Sequence, residues 1–321
     1  MQTCDQTAGG KDVQRVEISA GDLTVGLLNL GANLHSVRLS GVPYDLTLAS
    51  DHLPYYAKEM RYHGGIIGPV ANRIGGGRVR IGGMMHELER NQDRKHSLHS
   101  GRNSTHYQIW RLVDHGPTSA TFEIALADGV CELPGNRTIR ATFEFSAPAT
   151  LRLTLTATTD ETTLMNLANH SYWNLDGSDR WEGHSLKIAA DHILPITDEG
   201  LPTGEIAEVA GSEFDFRAAR VPGPGHPPLD NNFCTGEARG PLRDVLWLKG
   251  KSGLIMTMAT TEPGLHVFDG RDAGRPGHQN YEGLAFEAQL WPDAPNHPDF
   301  PSILLRPGET YHQITEWRFG R

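Results

Sequence analysis

Between Thr138 and Phe145 apolar and polar side chains alternate without a break. Ile139, Ala141, Phe143 and Phe145 fall on one face, and Thr138, Arg140, Thr142 and Glu144 on the other. A period of two predicts a strand with one buried face. Leu151, Leu153, Leu155 and Ala157 repeat the pattern around Arg152, Thr154 and Thr156, so the two segments predict a hairpin joined through residues 146–150. Phe122, Ile124 and Leu126 alternate again, and Tyr311, Gln313, Thr315, Trp317 and Phe319 share one face of a last strand. Helical periodicity is scarce: the best stretch is a short piece around Tyr55 to Met60, capped near Asp51. Many short strands punctuated by Gly and Pro predict an all-β fold, an antiparallel sandwich or barrel, and disfavour parallel βαβ architectures. The Pro/Gly-rich stretch Val221 to Pro228 is too short for a tether and reads as an ordered loop. A single domain over residues 1–321 is therefore expected.

Composition narrows the partners. Lys plus Arg total 29 against 39 for Asp plus Glu, a net charge of −10, so the overall field does not favour nucleic acid. No apolar run approaches the roughly 18–20 residues of a membrane span, which predicts a chain with no membrane partner. Cys4, Cys131 and Cys234 are odd in number and widely spaced, and no basic region followed by an apolar segment opens the chain. A reduced, cytoplasmic setting is the expectation.

Five clusters could carry chemistry. The glycine-rich run from Gly64 to Gly77 matches neither GxGxxG nor a P-loop, and no helix pattern follows it. Its notable feature is the polar pair Asn72-Arg73, since a planar five-donor Arg can hold hydroxyl and carboxylate oxygens at fixed angles; a structural Arg bonding loop carbonyls is the alternative. His96 and His99, three apart, lack the further ligands of a zinc pattern and would face opposite ways on a strand. The segment Asn169 to Leu175 is dense in groups that hydrogen-bond a polyol or stack on a sugar ring. Asp230 lies in Leu229-Asp-Asn-Asn-Phe233, and Glu287 lies in an apolar strand-like run, Leu284 to Pro292. A carboxylate there carries a free-energy penalty unless it is paired or used, which makes Glu287 a candidate base; an outward-facing glutamate on an alternating strand is the other reading.

Taken in order, Asn72-Arg73-Ile74, Leu98-His99-Ser100-Gly101, His170-Ser-Tyr-Trp-Asn-Leu175 and Phe286-Glu-Ala-Gln289 resemble the aldose 1-epimerase (galactose mutarotase) family. Leu201-Pro-Thr-Gly-Glu205, Glu213-Phe-Asp-Phe-Arg217 and Leu305-Arg-Pro-Gly-Glu-Thr-Tyr311 extend the resemblance from about residue 24 to the C-terminus. It implies a large antiparallel β-sandwich of the galactose mutarotase type, with an open sugar cleft and no cofactor or metal. It implies Glu287 as general base and His170 as general acid, with Arg73, His99 and Asp230 gripping the sugar and Asn72 and Tyr172 as adjacent contacts. The chemistry interconverts anomers of a free monosaccharide such as galactose, glucose or a pentose like arabinose. A base removes the O1 proton, an acid protonates the ring oxygen O5, and the opened chain rotates about C1–C2 before closing. The expectation is an ionised Glu287 and a protonated His170 at neutral pH, the carboxylate raising its neighbour.

Two departures from the family pattern flank the sugar site. Asn231 follows Asp230 where members commonly carry His, and His266 stands where they often carry Gln, which leaves hexose against pentose preference open and makes His266 a candidate sugar contact. Competing readings are a non-catalytic sugar-binding or sensor protein, and a carbohydrate hydrolase or lyase using Asp230 and Glu287 as a carboxylate pair. A hexose-6-phosphate epimerase is a variant of the leading reading. Monomer and homodimer are both compatible with the sequence.

Overall fold

The computed structural model describes residues 2–6, 12–146 and 149–321. Its largest sheet has eight antiparallel strands, running from edge to edge Arg111–His115, Ser119–Leu126, Arg137–Ser146, Thr150–Thr159, Tyr311–Gly320, Ile255–Thr260, Arg243–Lys249 and Ser185–Ile188. The predicted hairpin forms with Phe143 opposite Leu153 and Ala141 opposite Leu155; residues 147 and 148 of its connection lie outside the described residues. Opposed residues in an antiparallel pair share a face, so the apolar face of each strand lines up across the sheet and continues to Trp317, opposite Leu151.

A second sheet of six antiparallel strands runs Tyr172–Trp173, Leu284–Gln289, Gly264–Phe268, Asp230–Cys234, His192–Ile193 and Ala207–Glu208. One face, with Trp173, Leu265, Val267, Leu284 and Phe286, packs into the same core cluster as Phe143, Leu153 and Trp317 of the larger sheet. This is the sandwich the alternation predicts. The opposite face of the six-stranded sheet carries Tyr172, Asp230, His266 and Glu287. Helical structure among the described residues is confined to 3-10 turns of 3 to 5 residues. The helical piece expected at Tyr55 to Met60 is one of them, Leu53–Ala57, with His52 rather than Asp51 at its N-cap and no side-chain cap. Pro54 opens it, and two buried residues, Leu53 and Tyr56, give it no apolar stripe to extend.

Polar groups inside the sandwich join the two sheets. Gln313, buried on the larger sheet, donates from Nε2 to the Ala288 carbonyl at 2.8 Å, while its Oε1 accepts from Tyr311 Oη at 2.6 Å. Tyr311 Oη in turn accepts from the Leu167 N–H at 3.0 Å. The strand bearing Glu287 is thus pinned at its next residue, because a buried amide left without partners would carry a penalty of about 1–3 kcal/mol. Trp173 and Trp317 meet across the interface with ring centroids 5.8 Å apart. Trp317→Ala is expected to destabilise the fold by about 3–5 kcal/mol, read as a lower midpoint in chemical denaturation with an unchanged native spectrum below the transition.

Candidate active site

The cleft is assembled from strands and from loops forced into unusual backbone shapes. Asn72, His99 and Ser100 all have positive φ, at 63°, 52° and 59°, a region that costs a non-glycine residue about 1–3 kcal/mol. Mutual bonding holds them there. The Asn72 N–H donates to His99 Nδ1 at 3.1 Å, and the His99 N–H donates to the Asn72 carbonyl at 2.9 Å. Asn72 Oδ1 accepts the Arg73 N–H at 2.9 Å, and Ser100 Oγ bridges the N–H and carbonyl of Val70. Because Nδ1 of His99 accepts a hydrogen bond, its ring proton sits on Nε2, and burial first, then the neighbouring His170, keeps the ring neutral. His99 is therefore a fixed hydrogen-bond donor.

Arg73 reaches two partners, as its forked donors permit: Nε donates to Gln92 Oε1 at 2.9 Å and Nη2 to Asp230 Oδ2 at 3.3 Å. It bonds side chains facing the cleft, and not loop carbonyls. Its guanidinium lies against Gly200, where φ is +78° and an added Cβ would come within 2.8 Å of Cζ. Asp230 Oδ1 faces His266 Nε2 at 2.9 Å. Burial alone would raise the Asp230 carboxyl, but the His266 hydrogen bond and the charges of His266, Arg73 and Arg271 outweigh it and hold the group below the usual carboxylate range.

Glu287 is 1% exposed, so the outward-facing alternative is excluded. His170 Nε2 stands 3.4 Å from its Oε1, and Tyr62 stacks on the His170 ring at 5.5 Å and 18°. Burial pushes Glu287 up to about 7, against the opposing charges of His266 and Arg73 and with that of Asp230. Burial also drives His170 down to about 3, helped by His63. Burial thus leaves His170 neutral, where a protonated ring was expected, and brings Glu287 to the midpoint of its titration near neutral pH. Two charges in a water-poor cleft are disfavoured more than their attraction restores, and the pair relaxes toward its neutral form. Tyr172, stacked on His63 at 4.2 Å, is held well above the usual phenol range by burial and by Glu287, so it keeps its proton.

Asn72, Arg73, His99, His170, Tyr172, Asp230, His266 and Glu287 all line one cleft of about 420 Å³, the size of a small-ligand site. His96 does not join them; it turns away to Glu199, 3.0 Å distant. His99, His170 and Glu287 bring one ligand atom each within 4.8 Å of the others. With one ring nitrogen of His99 accepting a backbone N–H and the other protonated, that ring has no free lone pair for a cation. Tyr62, His63, Gln92 and Phe268 also line the cleft and were missed from sequence. The adjacency of Tyr62-His63 to the glycine-rich run that holds Asn72 is the signal that could have found the first two.

The open face of an antiparallel sandwich here holds a buried glutamate–histidine pair flanked by an arginine, an aspartate and aromatic rings. The family model described as aldose 1-epimerase matches residues 14–318, and the chain belongs to that family. Galactose mutarotase from Mus musculus is 32% identical over 332 residues, covering 98% of this chain and 96% of the mouse protein. Aldose 1-epimerase from Escherichia coli K12 is 29% identical, covering 92% of each. Among solved structures, an aldose epimerase homologue from C. elegans superposes with a TM-score of 0.89 at 29% identity over 96% of this chain and 99% of that one. Galactose 1-epimerase from Lactobacillus acidophilus gives 0.84 at 26% identity over 98% and 97%.

The raised Glu287 has a consequence for stability. Its folded value, about 7, lies above the ordinary glutamate value of 4.5, so between those pH values the folded state holds a proton that the unfolded state has released. By linkage, stability falls as pH rises through that window. Glu287→Gln removes the titration and is expected to be more stable than the native protein above pH 7, by up to roughly 3 kcal/mol, with the difference vanishing below about pH 4.5. Denaturant midpoints of both proteins across pH 4–8 check this.

Proposed function

We infer that the protein is a cofactor-independent aldose 1-epimerase that interconverts the α and β anomers of a free monosaccharide, with Glu287 as base and His170 as acid. The observation that carries the residue assignment is the 3.4 Å contact between His170 Nε2 and Glu287 Oε1, two proton-transfer groups of different type on one wall of the cleft. Arg73, His99 and Asp230 fit the task of gripping sugar hydroxyls: His99 and Arg73 donate, and the Asp230 carboxylate accepts. Asn72 and Tyr172 complete the wall, with the Tyr172 and Phe268 rings, 6.3 Å apart, offering apolar surface to a sugar face.

The proton inventory explains how a neutral pair serves. Ring opening starts from the ionised pair, Glu287 accepting the O1 proton as His170 donates to O5. Both transfers discharge the pair, leaving a protonated glutamate and a neutral imidazole beside the open-chain aldehyde. That is the form burial favours, so desolvation assists opening, and closure on the other face reverses both transfers. A sugar O1–H donating to the Glu287 carboxylate, and O5 accepting from the imidazolium, supply the hydrogen bonds that support the ionised form while substrate is bound.

The hydrolase reading is less well supported, because both oxygens of Asp230 are engaged, by His266 and Arg73, and neither is free to activate water. The sugars that fit this reading are galactose, glucose and arabinose. A reducing, cytoplasmic compartment accords with the buried free thiols of Cys131 and Cys234, both pushed up to about 12 by burial.

Polarimetry of freshly dissolved α-D-galactose, α-D-glucose and L-arabinose tests the activity and ranks the sugars. Catalytic protein is expected to speed the approach to an unchanged end rotation; decay at the uncatalysed rate despite measurable sugar binding would favour the sensor alternative. Glu287→Gln and His170→Asn are each expected to lower kcat by about 10²–10⁴, with sugar affinity in calorimetry changed less than tenfold. Native-like turnover by the glutamine variant would sink the base assignment, and by the asparagine variant would move the acid role to another group.

A further inference from the structure

The family resemblance leaves His266 unexplained, since it stands where relatives often carry an uncharged glutamine. Its placement is specific. In the six-stranded sheet His266 lies directly opposite Glu287 on one side and Asn232 on the other, and directly opposed residues put their Cβ atoms about 4.5–5.5 Å apart on the same face. Its Nε2 is committed to Asp230 Oδ1 at 2.9 Å, and Asp230 is itself anchored through Oδ2 by Arg73. His266 is 4% exposed, and its Nδ1 is buried without a hydrogen-bond partner, as is Glu287 Oε2 on the neighbouring strand. The ring therefore makes no use of Nδ1 toward solvent. What it adds to Glu287 is charge and contact.

The other ionisable groups around Glu287 cannot supply that charge at short range. His170, just before the edge strand Tyr172–Trp173, and Tyr172 on that strand are held neutral. His99, on the loop opposite, is a neutral donor, and His63 behind Tyr172 is also neutral. Asp230 is anionic and opposes ionisation of Glu287. Arg73 is cationic and also favours the ionised Glu287, though less than His266 does, and its fork is bound to Gln92 and Asp230. That leaves His266, directly opposite Glu287 in the sheet and bonded through Nε2 to the Asp230 carboxylate.

We propose that the Asp230–His266 pair is a built-in counter-charge for the base: His266, held as an imidazolium by Asp230, keeps Glu287 ionisable within its buried strand and sets the lower pH limit of turnover. The proposal rests on Glu287 acting as the base. His266 is in these terms a positioning residue, working through Glu287 rather than on the reacting atoms. An uncharged glutamine here would place the whole burden on Arg73, and this chain is expected to work at lower pH than its own His266→Gln variant.

The test is to titrate Glu287 itself by difference infrared spectroscopy of its protonated carboxyl band, assigned by the band's loss in Glu287→Gln. The midpoint is expected near 7 in the native protein and about one pH unit higher in His266→Gln, the shift a nearby charge produces at intermediate dielectric. His266→Lys, which keeps a cation, is expected to return it toward the native value. The acid limb of kcat/KM should move with the band, whatever happens to the plateau. An unchanged or lowered midpoint in His266→Gln overturns the proposal. Should that variant fail to fold, nitrogen-15 NMR of the native protein decides, because an unprotonated ring nitrogen on His266 at pH 7 is equally fatal. Native turnover in Glu287→Gln would overturn the base assignment while leaving the measured charge coupling intact.

Discussion

Everything in the cleft answers to one constraint: a carboxylic acid placed in the middle of a fully buried strand. All six residues of Leu284–Gln289 are buried, and among the described residues no salt bridge with Lys or Arg relieves Glu287. The strand is held by Gln313 through the Ala288 carbonyl, so the glutamate cannot withdraw to solvent. Its desolvation is what brings its proton affinity to the neutral range, and matched affinity is what a general base needs near pH 7. The surrounding residues are ways of managing that one charge. His170 stands 3.4 Å from it, Tyr172 stays protonated beside it, and Asp230 is bound by His266 and Arg73.

Burial likewise keeps four histidines in and beside the cleft neutral. His63, His99, His106 and His170 are all buried, and each is held low chiefly by burial. Neutral imidazoles differ by tautomer, and tautomers are set by hydrogen bonds to the backbone. The Asn72–His99 exchange fixes one of them through two left-handed residues, a case of strain at a functional position balanced by local bonding. The cleft is therefore patterned with donors and acceptors more than with charge, which suits an uncharged, hydroxyl-rich ligand.

Much of the fold was legible because alternation is local. Ile139, Ala141 and Phe143 against Leu153, Leu155 and Ala157 need no knowledge of distant chain, and the sheet realises that pattern. Glu287 stood out for the same reason, as one charge in an apolar run. The protonation states were not legible, since they depend on burial contributed by segments far apart in sequence. Tyr62 and His63 escaped notice because the turn that carries them has no period to break. The Asp230–His266 contact joins residues 36 apart, and the Arg73–Asp230 contact residues 157 apart; no spacing rule reaches either.

The strand order of the larger sheet carries a consequence for how the protein is made. Tyr311–Gly320, later in the chain than every other strand of that sheet, is inserted in its interior between Thr150–Thr159 and Ile255–Thr260. Until it is synthesised, the two halves of the sheet expose facing edges with unpaired backbone groups, and such edges invite association with other chains. It also supplies Trp317 and Gln313, which seal the core and tie down the Glu287 strand. A nascent chain lacking this segment would have neither a joined sheet nor a fixed Glu287 strand, so the two edges need shielding until Tyr311–Gly320 pairs between them.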